Sequence, residues 1–324
     1  MTTNKIRASF LDKASLYPDD LDFSALEEVA SWQWFDNGFD DTSPGDMQHC
    51  LENAEILVSN KVLISREIIA NSKQLKLICV AATGVNNVDL EAAKKRGVQV
   101  CNVRAYATSS VVQHVFSLIL ALNRKLYSYN KSVTKGDWSR SEFFCYFGET
   151  ISELEGKTLG IIGFGELGKA VAKVAACFGM KVLLAKRDAS DLREGRTDLN
   201  TLLSQADVVT LHCPLTENNR HILGAKEFAV MRHDAILINA ARGGLVDEMA
   251  LLHALEKKEI GAAALDVLEE EPPSVNNVLI NYRADNLIIT PHIAWASRES
   301  RQRLVNEIAE NIRAFKQGQP RNVV

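Results

Sequence analysis

The chain has 324 residues, of which 46% are hydrophobic and 24% charged, a composition typical of a globular protein with about two domains. Its 37 basic and 41 acidic residues give a net charge of −4, which excludes the general positive field of a nucleic-acid-binding protein. The longest nearly apolar run, residues 111–122, is interrupted by polar residues and falls short of the roughly 18 residues that cross a bilayer. We therefore predict neither a nucleic-acid partner nor a membrane protein.

Targeting signals and cysteine spacing indicate the compartment. Residues 1–15 lack the unbroken apolar core of a secretory signal, which predicts a cytoplasmic protein. The six cysteines lie at least 22 residues apart, a spacing that fits neither a zinc site nor a disulfide framework. The histidines are equally dispersed, so we predict no bound metal.

Predicted strands and helices alternate through the first hundred residues. Short buried strands are predicted at Ile56–Val58, Leu77–Val80 and Val98–Val100, with helices at Ser65–Ala70 and Asp89–Arg96 between them. This order is typical of an α/β fold with a parallel sheet.

A long helix is predicted next, over Ser110–Leu126, where Val111, Val115, Leu118 and Ile119 follow helical spacing. It either carries the chain from one domain to the other or is an ordinary core helix.

Six further strands follow residue 156, enough for a complete dinucleotide-binding fold. They are predicted at Leu159–Ile162, Val182–Ala185, Val208–Leu211, Ile236–Ile238, Ala262–Asp266 and Leu287–Thr290. Ser297 can cap a final helix over Arg298–Phe315, which Gly318 would end. We therefore predict a doubly wound Rossmann domain for NAD(P) over residues 104–297. A smaller flavodoxin-like α/β substrate domain is predicted from residues 1–103 and 298–324.

The sharpest local signal is the glycine motif Gly163-Phe164-Gly165-Glu166-Leu167-Gly168, which follows a predicted strand and opens a predicted helix. Gly163 would allow the tight turn, Gly165 the close approach of a pyrophosphate, and Gly168 close packing of helix on strand. This context predicts a dinucleotide site.

The end of the next strand bears on the choice of cofactor. An NAD site usually places a carboxylate about 20 residues beyond the glycines. Here that position holds Lys186, followed by Arg187 and Asp188. The two cations favour the 2′-phosphate of NADPH modestly, although Asp188 can still turn towards a ribose hydroxyl and the cluster can be merely solvated.

Three further polar residues lie at or beyond strand ends, where open α/β sheets bind ligands. Arg242 carries a rigid guanidinium that suits a carboxylate or carbonyl oxygen. His292 is suited to proton transfer near neutral pH. Glu271 ends an acidic triplet, and composition alone does not choose among its members. Together these groups fit hydride transfer to a 2-keto acid.

The residues resemble the D-2-hydroxyacid dehydrogenase family over essentially the whole chain. The motifs that carry the resemblance are Ala82–Asp89, Gly163–Gly168, Leu211–Thr216, Asn239–Glu248, Ala264–Val267 and Thr290–His292. Within the family, the segments at 81–90, 242–248 and 291–298 look most like bacterial glycerate dehydrogenases, also called hydroxypyruvate reductases.

The resemblance implies a role for each matching residue. Arg242 would hold the substrate, His292 would be the acid and base, and Glu271 would pair with His292. Backbone amides at Thr83 and Gly84 would bind the substrate carboxylate. The residues expected near the cofactor, besides the glycines, are Thr108, Glu166, Leu167, Cys213, Pro214, Ala240 and Asp266.

The resulting hypothesis is an NAD(P)H-dependent reductase of hydroxypyruvate, and of glyoxylate, that gives D-glycerate or glycolate. The resemblance also implies a homodimer, for which we expect the Ser110–Leu126 helix and its neighbours to form the interface. One alternative keeps the chemistry but takes a bulkier 2-keto acid such as phenylpyruvate. Formate dehydrogenases, which are related in fold, have a glutamine paired with the histidine. Glu271 therefore argues against that reaction. An alternative of another class is a cofactor-sensing protein, since the family includes corepressors.

Overall fold

The computed structural model describes residues 5–36, 44–188 and 190–324 of the chain, so the first four residues of the N-terminal segment lie outside it. The chain divides into two compact units. One contains residues 1–107 and 296–324, and the other contains residues 108–295. Within the described residues, no helix combines the length and apolar character needed to cross a membrane.

The first unit is built on a parallel sheet with the strand order β2-β1-β3-β4-β5. Its strands are β1 (Arg7–Phe10), β2 (Ser31–Trp34), β3 (Ile56–Ser59), β4 (Leu77–Val80) and β5 (Gln99–Cys101). Its first four helices are α1 (Ser24–Val29), α2 (Pro44–Asn53), α3 (Arg66–Asn71) and α4 (Leu90–Lys95). This strand order is that of flavodoxin-like folds, and β3 and β4 are buried along their whole length.

The second unit is built on a parallel sheet with the order β12-β11-β10-β9-β6-β7-β8. Its strands are β6 (Thr158–Ile162), β7 (Lys181–Ala185), β8 (Arg196–Thr197), β9 (Val208–Leu211), β10 (Ile236–Asn239), β11 (Ala262–Leu265) and β12 (Leu287–Ile289). Its helices are α5 (Thr108–Asn123), α6 (Leu126–Thr134), α7 (Glu166–Cys177), α8 (Leu199–Gln205), α9 (Ala225–Val230), α10 (Glu248–Glu256) and α11 (Val278–Asn281). The last helix, α12 (Arg298–Lys316), belongs to the first unit.

The predicted α/β class, with a Rossmann unit and a flavodoxin-like unit, is confirmed. Reading from the edge strand β8, the first six strands of the second sheet follow the dinucleotide-binding order, and β12 extends it. The strand order reverses between β6 and β9. Ligands of open α/β sheets bind at the carboxyl ends of the strands beside such a switch point.

The long predicted helix Ser110–Leu126 is wrong at its C-terminal end. Helix α5 stops at Asn123, and Lys125 adopts the left-handed conformation with φ 53°, which cannot continue a right-handed helix. A separate helix, α6, then begins at Leu126. The final helix agrees with prediction, because the Ser297 hydroxyl accepts a hydrogen bond from the Ser300 amide at 3.2 Å at its start.

Candidate active site

The glycine loop follows β6 and ends where α7 begins. A Cβ atom at Gly163, whose φ is 98°, would lie 2.4 Å from the Cys213 amide nitrogen. A Cβ atom at Gly168 would lie 2.2 Å from the Gly163 carbonyl oxygen. At Gly165 a Cβ atom would meet nothing within 4 Å. Two glycines are therefore required by packing, while the third leaves open space beside the helix N-terminus, where a pyrophosphate fits.

The side chain at the start of α7 is an acid. Glu166 is exposed, and its carboxylate accepts a hydrogen bond from the Thr108 hydroxyl. Leu167, the next residue, is half-buried. These three residues, which the family resemblance places near the cofactor, therefore lie around the first turn of α7 or contact it.

The basic segment after β7 differs from a simple pair of free cations. Arg187 donates through Nε to the Asp188 carboxylate at 2.9 Å. Asp188 also accepts from the amide and the hydroxyl of Ser190, and these hydrogen bonds, with Arg187, hold its pKa below the ordinary value. Lys186 is exposed. Asp188, the carboxylate that the sequence offered for a ribose hydroxyl, is therefore already bonded within its own loop.

The backbone of the segment after β9 lies directly against the glycine loop. His212 donates its amide to the Ile162 carbonyl at 2.7 Å, and its ring Nε2 lies 2.9 Å from the Thr210 hydroxyl. Burial raises the pKa of the Cys213 thiol, which is therefore not an activated nucleophile. Pro214 is exposed at the turn that follows.

Arg242 lies three residues beyond the end of β10, in extended backbone. Asn239, at the end of the strand, fixes the turn: its side-chain amide donates to the Arg242 carbonyl at 2.9 Å and its oxygen accepts from the Ala241 amide at 3.0 Å. Ala240, between them, is half-buried. The guanidinium is exposed, donates to the Ala241 carbonyl at 2.6 Å, and forms no ion pair within the described residues. Most of its donors therefore face outward.

His292 and Glu271 are in direct contact. Nδ1 of His292 lies 2.6 Å from Oε2 of Glu271, whose other oxygen accepts from the Leu268 amide at 3.0 Å. His292 adopts φ 54°, a conformation that residues other than glycine adopt rarely, so its surroundings hold it there. The structure also separates the acidic triplet, because Glu269 bonds to Arg220 and His221 instead.

A buried carboxylate holds the loop that carries His292. Asp266 is 1% exposed and accepts hydrogen bonds from the Thr290 hydroxyl at 2.6 Å and from the amides of Ile293 and Ala294 at 2.9 and 2.8 Å. Burial raises its pKa, but these bonds and His114 outweigh burial and hold the pKa below its ordinary value. Asp266 is thus an ionised anchor for both sides of His292.

His114 was missed as a member of this network. On α5, its Nε2 lies 3.0 Å from the Thr290 hydroxyl and 3.4 Å from Asp266. The available signal was a polar residue within an otherwise apolar helical run, but nothing in sequence indicates which strand it faces.

Thr83 and Gly84 belong to the first unit, just beyond β4. The Thr83 hydroxyl donates to the Val103 carbonyl at 2.9 Å, and Asn102 donates to the Thr83 carbonyl at 2.7 Å. Thr83 is exposed and Gly84 half-buried. These bonds tie the turn after β4 to the residues that follow β5.

The described part of the chain does not bring together a set of metal ligands. There, no group of three or more His, Cys, Asp or Glu side chains is placed to hold an ion. The polar groups of the second unit comprise a hydrogen-bonded histidine–glutamate pair, an exposed arginine and an open glycine loop.

The chain is similar to proteins of known family and structure. A family model described as "D-isomer specific 2-hydroxyacid dehydrogenase, NAD binding domain" matches residues 116–294. The chain is 44% identical to the glycerate dehydrogenase of Methylorubrum extorquens over 97% of this chain and 98% of that protein. It is 37% identical to the hydroxypyruvate reductase of Blautia hydrogenotrophica over 97% and 98%. A solved acyclic imino acid reductase, Bsp5, in complex with NADPH and D-Arg is similar with a TM-score of 0.84 and 29% identity, covering 98% of this chain and 100% of that one.

Proposed function

Because the chain belongs to the D-isomer specific 2-hydroxyacid dehydrogenase family, we propose that it reduces hydroxypyruvate to D-glycerate, and glyoxylate to glycolate, with a nicotinamide cofactor. The relatives named glycerate dehydrogenase and hydroxypyruvate reductase, which align over nearly their whole length, support this substrate. The observation that carries the proposal is the contact of His292 with Glu271 at the carboxyl edge of the Rossmann sheet.

His292 is the proposed acid. With Nδ1 bonded to Glu271, the opposite nitrogen, Nε2, is left to face substrate. Protonated Nε2 gives its proton to the carbonyl oxygen as C2 is reduced, and neutral Nε2 takes the hydroxyl proton in the reverse reaction. Glu271 is the positioning residue that fixes the ring.

Arg242 is the proposed substrate anchor. Its exposed guanidinium offers donors in a planar fork, which matches the carboxylate and carbonyl oxygens of a 2-keto acid. A cation near the carbonyl also stabilises the negative charge that develops on oxygen during reduction. Amides at Thr83 and Gly84 are proposed to bind the substrate carboxylate as well.

The open space at Gly165 and the N-terminus of α7 are proposed to receive the pyrophosphate of the cofactor. The reduced nicotinamide, when bound, supplies the hydride. Thr108, Glu166, Leu167, Cys213, Pro214, Ala240 and Asp266 are the remaining proposed cofactor neighbours. NADPH is favoured over NADH because a cationic segment follows β7 and the neighbouring Asp188 carboxylate is already bonded within its own loop.

A homodimer is proposed, with a second copy covering the segment after α5. The apolar side of α5 is buried within its own unit, so it is not available as an interface. By contrast Phe143, Phe144 and Phe147 are 70%, 93% and 85% exposed. A cluster of exposed aromatics on one segment is typical of an interface. Sedimentation should give a dimer that Phe144→Ser with Phe147→Ser weakens, whereas Val275→Ser, at an exposed apolar site elsewhere, should not.

The test is the initial rate with hydroxypyruvate, glyoxylate, pyruvate and phenylpyruvate, using NADH and NADPH. We expect hydroxypyruvate to have the highest kcat/KM. Faster turnover of phenylpyruvate would show that the substrate is a bulkier 2-keto acid. No turnover with any of these acids would refute the proposed reaction and favour a cofactor sensor.

Two variants test the roles of the site residues. His292→Ala should lower kcat by about 10²–10⁴-fold while sparing NADPH binding, since only proton transfer is lost. Arg242→Ala should lower kcat and raise KM for the keto acid. His253→Ala, which removes an exposed histidine on α10, is the matched control and should leave both unchanged. Near-native activity of either site variant would overturn its assignment.

A further inference from the structure

We propose that Arg196, together with Lys186, binds the 2′-phosphate of NADPH and so determines the cofactor preference. The inference rests on the proposed use of a nicotinamide cofactor. Sequence spacing pointed to Lys186 and Arg187, the two adjacent cations after β7, whereas the ion pairs of the folded chain favour a different pair.

Four cations lie between residues 186 and 196, and carboxylates neutralise two of them. Arg187 is paired with Asp188 at 2.9 Å, and Arg193 is paired with Asp191 at 2.6 Å. In the described part of the chain, Lys186 and Arg196 form no ion pair. Two positive charges in one short segment therefore remain without a bonded counterion.

The neighbouring acid is already engaged. Asp198, which begins α8, accepts hydrogen bonds from the amide and the hydroxyl of Thr201 at 2.9 and 2.6 Å. These bonds hold the pKa of Asp198 below its ordinary value, and the charge of Lys186 adds a smaller contribution. Asp198 thus acts on Lys186 through space without bonding to it.

The fold brings Arg196 to the end of β7. Strand β8 runs parallel to β7 with Arg196 opposite Leu184, and the Lys186 amide donates to the Thr197 carbonyl at 2.8 Å. The Arg196 guanidinium donates to the Ala185 carbonyl at 3.2 Å. Arg196 and Lys186 therefore share the carboxyl end of β7, which is where this fold binds the adenosine ribose.

Arg196 also contacts the glycine loop. Its guanidinium carbon lies 5.1 Å from the centre of the Phe164 ring, the second residue of the motif. Stacking on an aromatic face orients a guanidinium without consuming its hydrogen-bond donors. One donor is used by Ala185, which leaves others for a phosphate. A dianionic phosphate would thus meet one oriented fork and one lysine charge.

The test separates the ribose phosphate from the rest of the cofactor. Calorimetry compares adenosine 2′,5′-bisphosphate with 5′-AMP on the full chain, for the wild type and for Arg196→Gln, Lys186→Gln and Arg196→Lys. Arg193→Gln is the matched control, because it removes an equal charge from the same segment but from an existing pair. The same samples are assayed for hydroxypyruvate turnover with NADPH and NADH.

We expect the wild type to bind the bisphosphate more tightly than 5′-AMP. Arg196→Gln should weaken bisphosphate binding by about 10–100-fold, the loss of a charge-assisted hydrogen bond, and leave 5′-AMP within about twofold. Arg196→Lys should restore part of this affinity, and Arg193→Gln should keep the wild-type ratio. The NADPH to NADH ratio of kcat/KM should follow the same order.

Three results would overturn the inference. If Arg196→Gln leaves the ratio of bisphosphate affinity to 5′-AMP affinity unchanged, Arg196 does not bind the 2′-phosphate, and only Lys186 is left to bind it. An equal loss for both nucleotides would assign Arg196 to folding of the segment only. Equal wild-type affinities would refute NADPH selection altogether. None of these depends on the keto acid, so failure of the proposed reaction is seen separately as absent turnover.

Discussion

Lowering the pH should destabilise the protein through one histidine, His212. Its Nδ1 atom is buried and has no hydrogen-bond partner within the described residues, while Nε2 lies 2.9 Å from the Thr210 hydroxyl. Burial lowers the pKa of His212 from 6.5 to about 4, because the charged ring would lose its hydration. The His212 ring therefore binds a proton less tightly in the folded chain than in the unfolded chain.

The sign and size of the effect follow from that difference. Above pH 6.5 the ring is neutral in both states and stability is complete. Between pH 6.5 and about 4 only the unfolded state binds the proton, so stability falls as the pH falls. A difference of about 2.5 units corresponds to about 3 kcal/mol, with no further loss below pH 4.

The assay is urea unfolding at several pH values between 7.5 and 4, with an NMR titration of the ring. His212→Gln retains a polar group for Thr210 but does not titrate, so the stability lead of the wild type over this variant should shrink by about 3 kcal/mol between pH 7 and 4. His253→Gln, at an exposed site, should track the wild type. Parallel curves for the wild type and His212→Gln, or a ring pKa near 6.5, would refute the reasoning.

Three other substitutions test the site geometry. Gly168→Ala should lower the free energy of unfolding, measured in urea, by about 1–3 kcal/mol or more, since its Cβ would lie 2.2 Å from a backbone oxygen. Gly165→Ala has open space for its Cβ, so it should fold normally but raise KM for the cofactor. Equal stability of the two variants would contradict this distinction. Gly243→Ala should be strongly destabilised, because its Cβ would lie 1.9 Å from the Leu268 backbone, and a wild-type Tm would count against that packing. Asp266→Asn should loosen the loop that carries His292, which should lower kcat and increase hydrogen exchange at the Ile293 and Ala294 amides. Unchanged exchange at these amides would show that Asp266 does not anchor the loop.

The sequence predicted much of the fold, and physical periodicity explains why. Strands buried on both faces are continuous apolar runs, so those from Ile56 onwards were recognisable. Strands β1 and β2 were not predicted, since both contain polar residues, such as Ser31 and Gln33 in β2, and neither is a continuous apolar run. The end of α5 was misplaced because a left-handed turn at Lys125 leaves no mark in composition.

The sequence by itself determined the parallel α/β class and the glycine loop, because these depend on local pattern and on residues adjacent in the chain. It also supplied Arg242 and His292 as candidates, since both follow strand ends. Only the tertiary structure decided which partners these groups meet: Glu271, not Glu269, contacts His292. Among the described residues, it likewise pairs Arg187 with Asp188 and leaves Arg196 without an ion pair. Such pairings depend on strand register and loop geometry across distant segments, which periodicity along one chain does not encode.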